Sequence, residues 1–460
     1  MQYVSSFSKP IRIKALMIEN NPSLVDLNGF NNVAEVEQLN LIGNSSLNNL
    51  DRLAKLERVY SITIQGNGLL NLEGLSNLKT IEAGDLLIIN NPNLKNLKGL
   101  GGITSLPQRL RVEGNRGMLS FEGLENLAAI QGQLQVVNNY SLQSFKGLDN
   151  LKYVGYSIFI QDNNSLIDFT GLENLSFNQL SFYVYGNSNL KSLKGLTLKS
   201  IEELHVMGNN SFIQFDLPST ENITRFSVDE NSSLPNFQGL QSLKSVVLMR
   251  ISRNGNLLNL DGLNNLVTVH SISIESNAKL KSFSGLGALS ILLGDFLIKD
   301  NALLLDLSGL NIKEINGSLR VHSNESLKSL SGLESLFKVG ITLDIRTNHE
   351  LIQLFDLTGL KSIGDSLRII SNRNLAECSI TFICDFLKIN ARRAIIDNNA
   401  SQCASAFKVV EGCNLSVVLS VKDENPLMIF PNPANSSITI DGLHNVTSIR
   451  ILNLSVVFLH

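Results

Sequence analysis

Residues 86–100 read LLIINNPNLKNLKGL, and residues 182–196 (FYVYGNSNLKSLKGL) and 319–333 (LRVHSNESLKSLSGL) repeat the same arrangement. The shared unit is L-x-I-x-x-N-x-x-L-x-x-L-x-G-L-x-x-L-x-x-I. A unit of this size is too small to bury its apolar face alone, so neighbouring units must stack into one continuous core. The repeat therefore predicts a single solenoid rather than several compact domains.

One Asn marks the register of every unit, with 22 to 24 residues from one to the next. It falls at Asn21, Asn44, Asn67, Asn91, Asn115, Asn139, Asn163, Asn187, Asn209, Asn231, Asn254, Asn277, Asn301, Asn324, Asn348 and Asn372. Their identical phase favours a structural column over a row of ligand positions. At a strand-to-turn corner, we expect each Asn to adopt left-handed backbone geometry and to satisfy buried peptide groups of its own and the next coil.

The residues ahead of each Asn alternate between apolar and variable positions, as in Leu319-Arg320-Val321. This period of two predicts a short strand, and coils that run in one direction must form a parallel sheet. About sixteen coils at roughly 4.8 Å spacing make a rod or shallow arc on the order of 75 Å long. No amphipathic stretch exceeds about two helical turns, so the outer face is predicted to hold short strands and turns.

Composition excludes several functional classes. The chain has 43% apolar residues, no Trp and 17% charged residues, with a net charge of −3 and a pI near 6.1. This charge argues against an extended phosphate-binding surface, so we expect no nucleic-acid partner. No apolar run is long enough for a membrane span, and no H-E-x-x-H, G-x-S-x-G, Walker or G-x-G-x-x-G motif occurs. We therefore expect no enzyme, no cofactor and no metal.

Four cysteines follow the last repeated Asn: Cys378, Cys384, Cys403 and Cys413. A solenoid end exposes an apolar cross-section, so residues 378–413 are predicted to form a cap held by two disulfides, with residues 378–386 as a short closing helix. The spacing allows three pairings. A zinc site is the alternative, although the close C-x-x-C pair of common zinc modules is missing.

The motif N-x-x-L-x-x-L-x-G-L-x-x-L-x-x-I resembles the receptor L-domain branch of the leucine-rich-repeat superfamily, over residues 1–377. The resemblance implies a right-handed β-solenoid with little helix, of the kind found in ligand-binding receptor lobes and in secreted bacterial surface proteins. By analogy with capped leucine-rich-repeat proteins, it also implies that Cys378 pairs with Cys403 and Cys384 with Cys413. The fold itself does not identify a ligand.

A second resemblance concerns the tail. After a polar linker at residues 414–426, the stretch IFPNPA at 429–434 and SITI at 437–440 resemble the start of a type A C-terminal sorting domain of the bacterial type IX secretion system. Residues 427–460 are thus interpreted as a partial sorting domain, and the machinery of that system as a partner. Because the later strands of the domain are missing and Met1–Val4 align with the middle of a repeat, we expect a chain truncated at both ends.

The variable sheet positions, four and two residues before each Asn, should point away from the core and are where a ligand would bind. Around the eighth coil they hold aromatic and apolar residues that could stack on a sugar or anchor a protein: Phe159, Tyr183, Tyr185, His205 and Met207. Farther along they hold a basic group that could bind an anion: Arg320, Arg346 and Arg368, with Lys299 and His322 around Asp344. Singly placed surface residues and a solvated, salt-bridged face are the respective alternatives.

These observations predict a non-enzymatic recognition scaffold, secreted or displayed on the outer surface of a bacterium, that binds a protein or glycan through its sheet. A structural adhesin or surface-layer rod without a discrete ligand site is the alternative. A degenerate reading frame without function is a third hypothesis.

Overall fold

The computed structural model of the 460-residue chain describes residues 10–176 and 180–413 and four short strands of the tail. Of those strands, Met428–Phe430 pairs antiparallel with Thr439–Asp441, and Arg450–Leu452 pairs antiparallel with Ser455–Val457. The expectations on Met1–Val4, on the linker at 414–426 and on the rest of the 427–460 tail lie outside the described residues.

A parallel sheet with one rung per coil runs through the described chain, which confirms the predicted β-solenoid. Its seventeen rungs are Ile11–Glu19, Val33–Ile42, Arg58–Gln65, Leu86–Ile89, Leu110–Glu113, Leu134–Val137, Ser157–Gln161, Leu180–Tyr185, Ser200–Met207, Asn222–Asp229, Ser245–Ser252, Thr268–Glu275, Phe296–Lys299, Leu319–His322, Thr342–Arg346, Ser366–Ile370 and Ala394–Asp397. The pairing is in register along the Asn column, so equivalent positions of successive coils lie side by side.

Eight coils carry an additional two-residue strand ahead of the rung. These strands are Thr80–Ile81, Ser105–Leu106, Ala129–Ile130, Tyr153–Val154, Ile291–Leu292, Glu314–Ile315, Lys338–Val339 and Ser362–Ile363. In the continuous strand Arg58–Gln65, two residues separate the buried Val59 and Ile62, whereas four separate Ile81 from Leu86. The extra residues form a turn that interrupts the strand.

The core consists of apolar columns that run the length of the solenoid, with one layer per coil. Phe145 shows the packing: its ring stacks on Phe121 at 5.7 Å and on Phe169 at 5.3 Å between centroids, and all three side chains are fully buried. The other coils up to Asn348 place Leu or Phe at this position, and the coil of Asn372 places Cys378 there. Stacked layers of similar volume give a close-packed interior built from aliphatic and Phe side chains, without Trp.

The repeated Asn side chains form a continuous hydrogen-bonded ladder. In one step, the Asn187 backbone N–H donates to Oδ1 of Asn209 at 2.9 Å, and Asn187 Nδ2 donates to the carbonyls of Ile160 at 2.9 Å and Tyr185 at 3.0 Å. Each amide thus serves peptide groups of its own coil and of the preceding coil, rather than of the next coil as expected. Sixteen such N–H to Oδ1 bonds join seventeen Asn residues from Asn21 to Asn399.

The left-handed backbone was expected at the ladder Asn, and this expectation is wrong by one position. The residue with positive φ precedes each Asn: Asn20, Gly43, Gly66, Asn90, Gly114, Asn138, Asp162, Gly186, Gly208, Glu230, Arg253, Ser276, Asp300, Ser323, Thr347, Ser371 and Asn398. The turn therefore comes first and aims the following Asn inward. Even Thr347, a β-branched residue that rarely adopts a positive φ, has φ of 56°. The hydrogen bonds of the ladder therefore impose the left-handed backbone at this position whatever the side chain.

The cysteine-containing segment closes the solenoid and also continues it. The strand Ala394–Asp397 pairs with Ser366–Ile370, and Asn399 ends the ladder, so the cap supplies a seventeenth coil. Within the described residues there are two α-helices, Thr381–Asn390 and Ala406–Gly412. The 3₁₀ turns are Asp51–Leu53, Glu73–Leu75, Phe355–Leu357, Ala391–Arg393 and Ser401–Cys403. The closing helix begins at Thr381, three residues later than predicted.

The four cysteines lie in two pairs at disulfide distance. Cys378 faces Cys403 and Cys384 faces Cys413, with 5.7 Å between the Cα atoms in each pair. The first pair joins the segment ahead of the closing helix to the turn Ser401–Cys403, and the second joins the closing helix to the end of the helix Ala406–Gly412. This is the pairing implied by the resemblance to capped leucine-rich-repeat proteins.

Candidate functional site

The solvent side of the sheet is formed by alternate residues of each rung. In Leu180–Tyr185, Phe182 and Val184 are fully buried in the core, whereas Tyr183 and Tyr185 point outward and are partly exposed. The strand places successive side chains on opposite faces, so the positions four and two residues before each ladder Asn form two continuous outward columns. The candidate residues stand in these columns.

The structure brings together an aromatic cluster, defined here as Phe159, Tyr183, Tyr185, His205 and Met207. The Tyr183 ring stacks on Phe159 with 4.4 Å between centroids and on the imidazole of His205 with 5.1 Å. Tyr185 lies tilted against Tyr183 at 6.1 Å and pairs across the sheet with Met207, which is 39% exposed. The cluster is therefore a preassembled apolar surface that spans three coils.

Sequence reasoning missed the carboxylate that organises this cluster. The Tyr183 hydroxyl donates a hydrogen bond of 2.7 Å to Glu203 Oε2, and His205 Nε2 lies 3.3 Å from the same oxygen. Arg225 forms an ion pair with the other carboxylate oxygen of Glu203. Glu203 lies six residues before Asn209, so its side chain is on the same outward face of the strand as the cluster. Considering the position six residues before each Asn, in addition to four and two, would have predicted it.

These contacts shift the pKa values of the cluster. Burial raises the pKa of Tyr183 to about 12, and the hydrogen bond to Glu203 adds to the effect. Burial, followed by the charges of Glu203 and Asp229, also raises the pKa of Tyr185. The hydrogen bond from Tyr183, together with Arg225, lowers the pKa of Glu203 despite partial burial. At neutral pH a ligand thus meets two neutral phenols beside a fixed carboxylate.

The basic group at the C-terminal end is largely neutralised. Arg320 Nη1 lies 2.7 Å from Asp295 Oδ2, a carboxylate that the sequence analysis left out, and the Ser318 backbone N–H donates to Asp295 Oδ1 at 2.8 Å. Lys299 Nζ lies 3.4 Å from Asp300 Oδ2. The expectation that several cations surround one carboxylate is therefore wrong, because neighbouring coils supply further carboxylates.

Asp344 is the buried centre of the remaining charges. Its side chain is almost fully buried, Arg346 Nη2 donates to Asp344 Oδ2 at 2.7 Å, and His322 Nε2 lies 3.5 Å from the same oxygen. Burial opposes ionisation, but His322 and Arg346 outweigh it and lower the pKa of Asp344. Arg368, beside Asp344 in the sheet, forms no ion pair among the described residues. Arg368 is therefore the guanidinium of the basic group that remains available to bind an anion.

Within the described residues, no group of three or more His, Cys, Asp or Glu side chains is arranged to hold a metal ion. Over the same part of the chain, no helix is long and apolar enough to cross a membrane.

No protein-family model and no curated protein matches the sequence. Among solved structures, the crystal structure of a TLR13–ssRNA13 complex is similar over 77% of this chain and 68% of that chain, with 15% sequence identity and a TM-score of 0.20. The repeat, the parallel rungs and the Asn ladder define the chain as a leucine-rich-repeat-like β-solenoid.

Proposed function

We propose that the protein is a non-enzymatic recognition scaffold that binds a protein or glycan partner on the solvent side of its sheet, at the aromatic cluster. A leucine-rich-repeat-like solenoid is typically a binding scaffold, because stacked coils form a long rigid surface whose outward side chains vary freely. The observation that carries the proposal is the stack of Phe159, Tyr183 and His205 on the outward face of the sheet.

Several properties of the cluster support binding. Aromatic side chains contribute large contact areas with few rotatable bonds, and here the rings are already stacked before a ligand arrives. The Tyr183 hydroxyl is held by Glu203, so little further conformational entropy is lost on binding. Arg225 and Glu203 add charged groups at the rim of the apolar surface. An apolar centre with polar groups at its edge is the usual arrangement of a binding hot spot.

The proposed location is the outside of a bacterial cell, either secreted or surface-bound. The two cysteine pairs at disulfide distance suit an oxidising compartment. The relation to receptor L-domains and the type IX sorting signal rest on the repeat motif and on the sequence of residues 429–440. Export through that system is therefore part of the proposal.

The test is a binding screen of the whole chain on glycan and peptide arrays, followed by titration of each hit. We expect Tyr183→Ala/Tyr185→Ala to weaken binding at least a hundredfold, because a buried aromatic anchor contributes about 2 kcal/mol or more to an interface. The matched control is Tyr60→Ala/Tyr156→Ala, which removes two exposed tyrosines outside the cluster and should leave binding unchanged.

An equal loss of binding affinity in the cluster variant and in the control would contradict the proposed site.

The alternative function, a structural rod or adhesin without a discrete ligand site, is favoured by the length of the seventeen-rung sheet. Growth of the purified chain into open-ended polymers, with no saturable hit on either array, would support that alternative.

A further inference from the structure

The residue that lies four positions after the ladder Asn follows a pattern that repeats every two coils. The coils are numbered 1 to 16 by their ladder Asn, so that coil 1 contains Asn21 and coil 16 contains Asn372. In coil 3 the equivalent residue lies three positions after Asn67 instead of four. In every odd-numbered coil it is aliphatic and 42 to 58% exposed. These eight residues, called the aliphatic stripe, are Val25, Leu70, Leu119, Ile167, Ile213, Leu258, Leu305 and Ile352.

The even-numbered coils never place a large apolar residue at this position. They hold Asn48, Lys95, Gln143, Lys191, Pro235, Lys281, Lys328 and Ala376. Backbone hydrogen bonds show that the two sets alternate in one column: Lys191 N–H donates to the Ile167 carbonyl at 2.9 Å, and Ile213 N–H donates to the Lys191 carbonyl at 3.0 Å. Neighbouring aliphatic side chains thus stand two coils apart, roughly 10 Å.

Charge alternates with the same period. Stripe residues of coils 3 to 13 are followed within three positions by a carboxylate, namely Glu73, Glu122, Asp168, Asp216, Asp261 and Asp306. The even coils from 4 to 14 have no carboxylate at these positions, and all of them except coil 10 carry a lysine at the column position or within the next three residues. Among the described residues, the lysines in the column form no ion pair: Lys95, Lys191, Lys281 and Lys328. The odd coils in this range are therefore aliphatic and acidic, and the even coils other than coil 10 are basic.

We propose that the aliphatic stripe is the interface for a second copy of this chain, packed antiparallel about a two-fold axis between coils 8 and 9. In that arrangement coil n of one copy faces coil 17 − n of the other copy, so every odd-numbered coil meets an even-numbered coil of the other copy. Four stripe residues, Leu70, Leu119, Ile213 and Leu305, then pack against the stem of a lysine of the other copy, whose ammonium group reaches the carboxylate next to the stripe. The other four stripe residues meet a short or uncharged side chain.

The size of the stripe matches this role. Sixteen coils at about 4.8 Å are roughly 75 Å long, and a strip about 10 Å wide covers on the order of 750 Å² per copy. A specific dimer buries about 800 Å² per partner. The stripe follows the ladder Asn while the aromatic cluster precedes it, so the two surfaces lie on different sides of the corner.

Sedimentation velocity of the full chain tests the proposal. We expect a reversible dimer in the wild type and at least a hundredfold rise in its dissociation constant for Ile167→Asp/Ile213→Asp/Leu258→Asp. The control, Val267→Asp/Leu293→Asp/Ile341→Asp, changes three equally exposed aliphatic residues outside the stripe and should dimerise normally. A monomeric wild type at tens of micromolar, or equal weakening by both variants, would overturn the proposal; circular dichroism verifies that both variants are folded.

Disulfide trapping tests the register. The native cysteines are already paired, so one new cysteine per chain is the sole free thiol among the described residues. A mixture of Lys191→Cys and Ile213→Cys chains should form a mixed disulfide, because coil 8 faces coil 9. A mixture of Lys191→Cys and Ile167→Cys chains, in which coil 8 would have to meet coil 7, should form at least tenfold less. Equal yields would overturn the antiparallel register.

Discussion

At the scale of the residue, the ladder Asn has a task that other polar side chains do not fulfil equally well. Asn187 is fully buried; its Oδ1 accepts from the Asn163 backbone N–H at 2.9 Å, and its Nδ2 donates to the carbonyl of Ile160 at 2.9 Å. One amide thus provides both an acceptor and donors to peptide groups that no water reaches. A carboxylate lacks the donors and a hydroxyl is too short to bridge two coils.

We predict that Asn187→Ala lowers the free energy of unfolding by about 2 to 4 kcal/mol, since it leaves the Asn163 N–H and the carbonyls of Ile160 and Tyr185 without partners. Urea unfolding monitored by circular dichroism measures the loss. The control is Asn189→Ala, an exposed asparagine on the same turn, which should change stability by less than about 0.5 kcal/mol. Similar values for the two variants would show that the ladder is not stabilising.

At the scale of the element, the tight stacking of coils depends on the glycine in the L-x-G-L part of the motif. Gly147 has φ of 103°, a conformation that residues with a side chain rarely adopt. A Cβ atom at Gly147 would lie 2.3 Å from the carbonyl carbon of Phe121 in the preceding coil. The glycine therefore permits both the turn and the close approach of two backbones.

Gly147→Ala should lower the free energy of unfolding by more than about 3 kcal/mol, because strain and backbone overlap act together. Gly255→Ala is the control: a Cβ atom there meets nothing within 4 Å, and its φ lies outside the left-handed region. Its stability should stay within about 0.5 kcal/mol of the wild type. Thermal melts of the two variants give the comparison, and a Gly147→Ala melt that matches the control would refute the argument.

At the scale of the whole molecule, the cap decides how the solenoid ends. Without it, the apolar layer beneath Ser366–Ile370 would be exposed to water, which is why terminal units of repeat proteins differ from internal ones. Here the cap adds the strand Ala394–Asp397 and buries Phe382 and Ile383 over the last layer. One cysteine pair joins the segment ahead of the first helix to the turn that follows this strand, and the other joins the two helices of the cap to each other.

We predict that Cys384→Ser/Cys413→Ser destabilises the cap by about 2 to 4 kcal/mol, because the bond no longer restricts the unfolded segment. Hydrogen exchange measured by mass spectrometry should speed up in peptides that contain Ala394–Asp397 and stay unchanged in a central rung such as Ser245–Ser252. Reductant should reproduce the effect of the double variant in the wild type. Freely alkylated thiols in oxidised wild-type protein would contradict the disulfides.

Much of this architecture was readable from spacing alone. The strands, the core layers and the Asn column follow from local periodicity, because a residue's face depends on its offset from the nearest Asn. The turn residue one position ahead of Asn was missed, since residues as different as Gly208, Glu230 and Thr347 occupy it. Asn399 was missed because 27 residues separate it from Asn372, beyond the regular spacing.

The pattern of one coil thus established the parallel β-solenoid, the inward and outward faces and the position of the aromatic cluster. Tertiary structure decided which charges meet: Glu203 with Tyr183 and Arg225, and Asp295 with Arg320. It also showed that stripe residues of alternate coils lie in one line. The physical reason is that local periodicity places a side chain within its own coil, whereas contacts between coils depend on the length and turn geometry of every intervening segment.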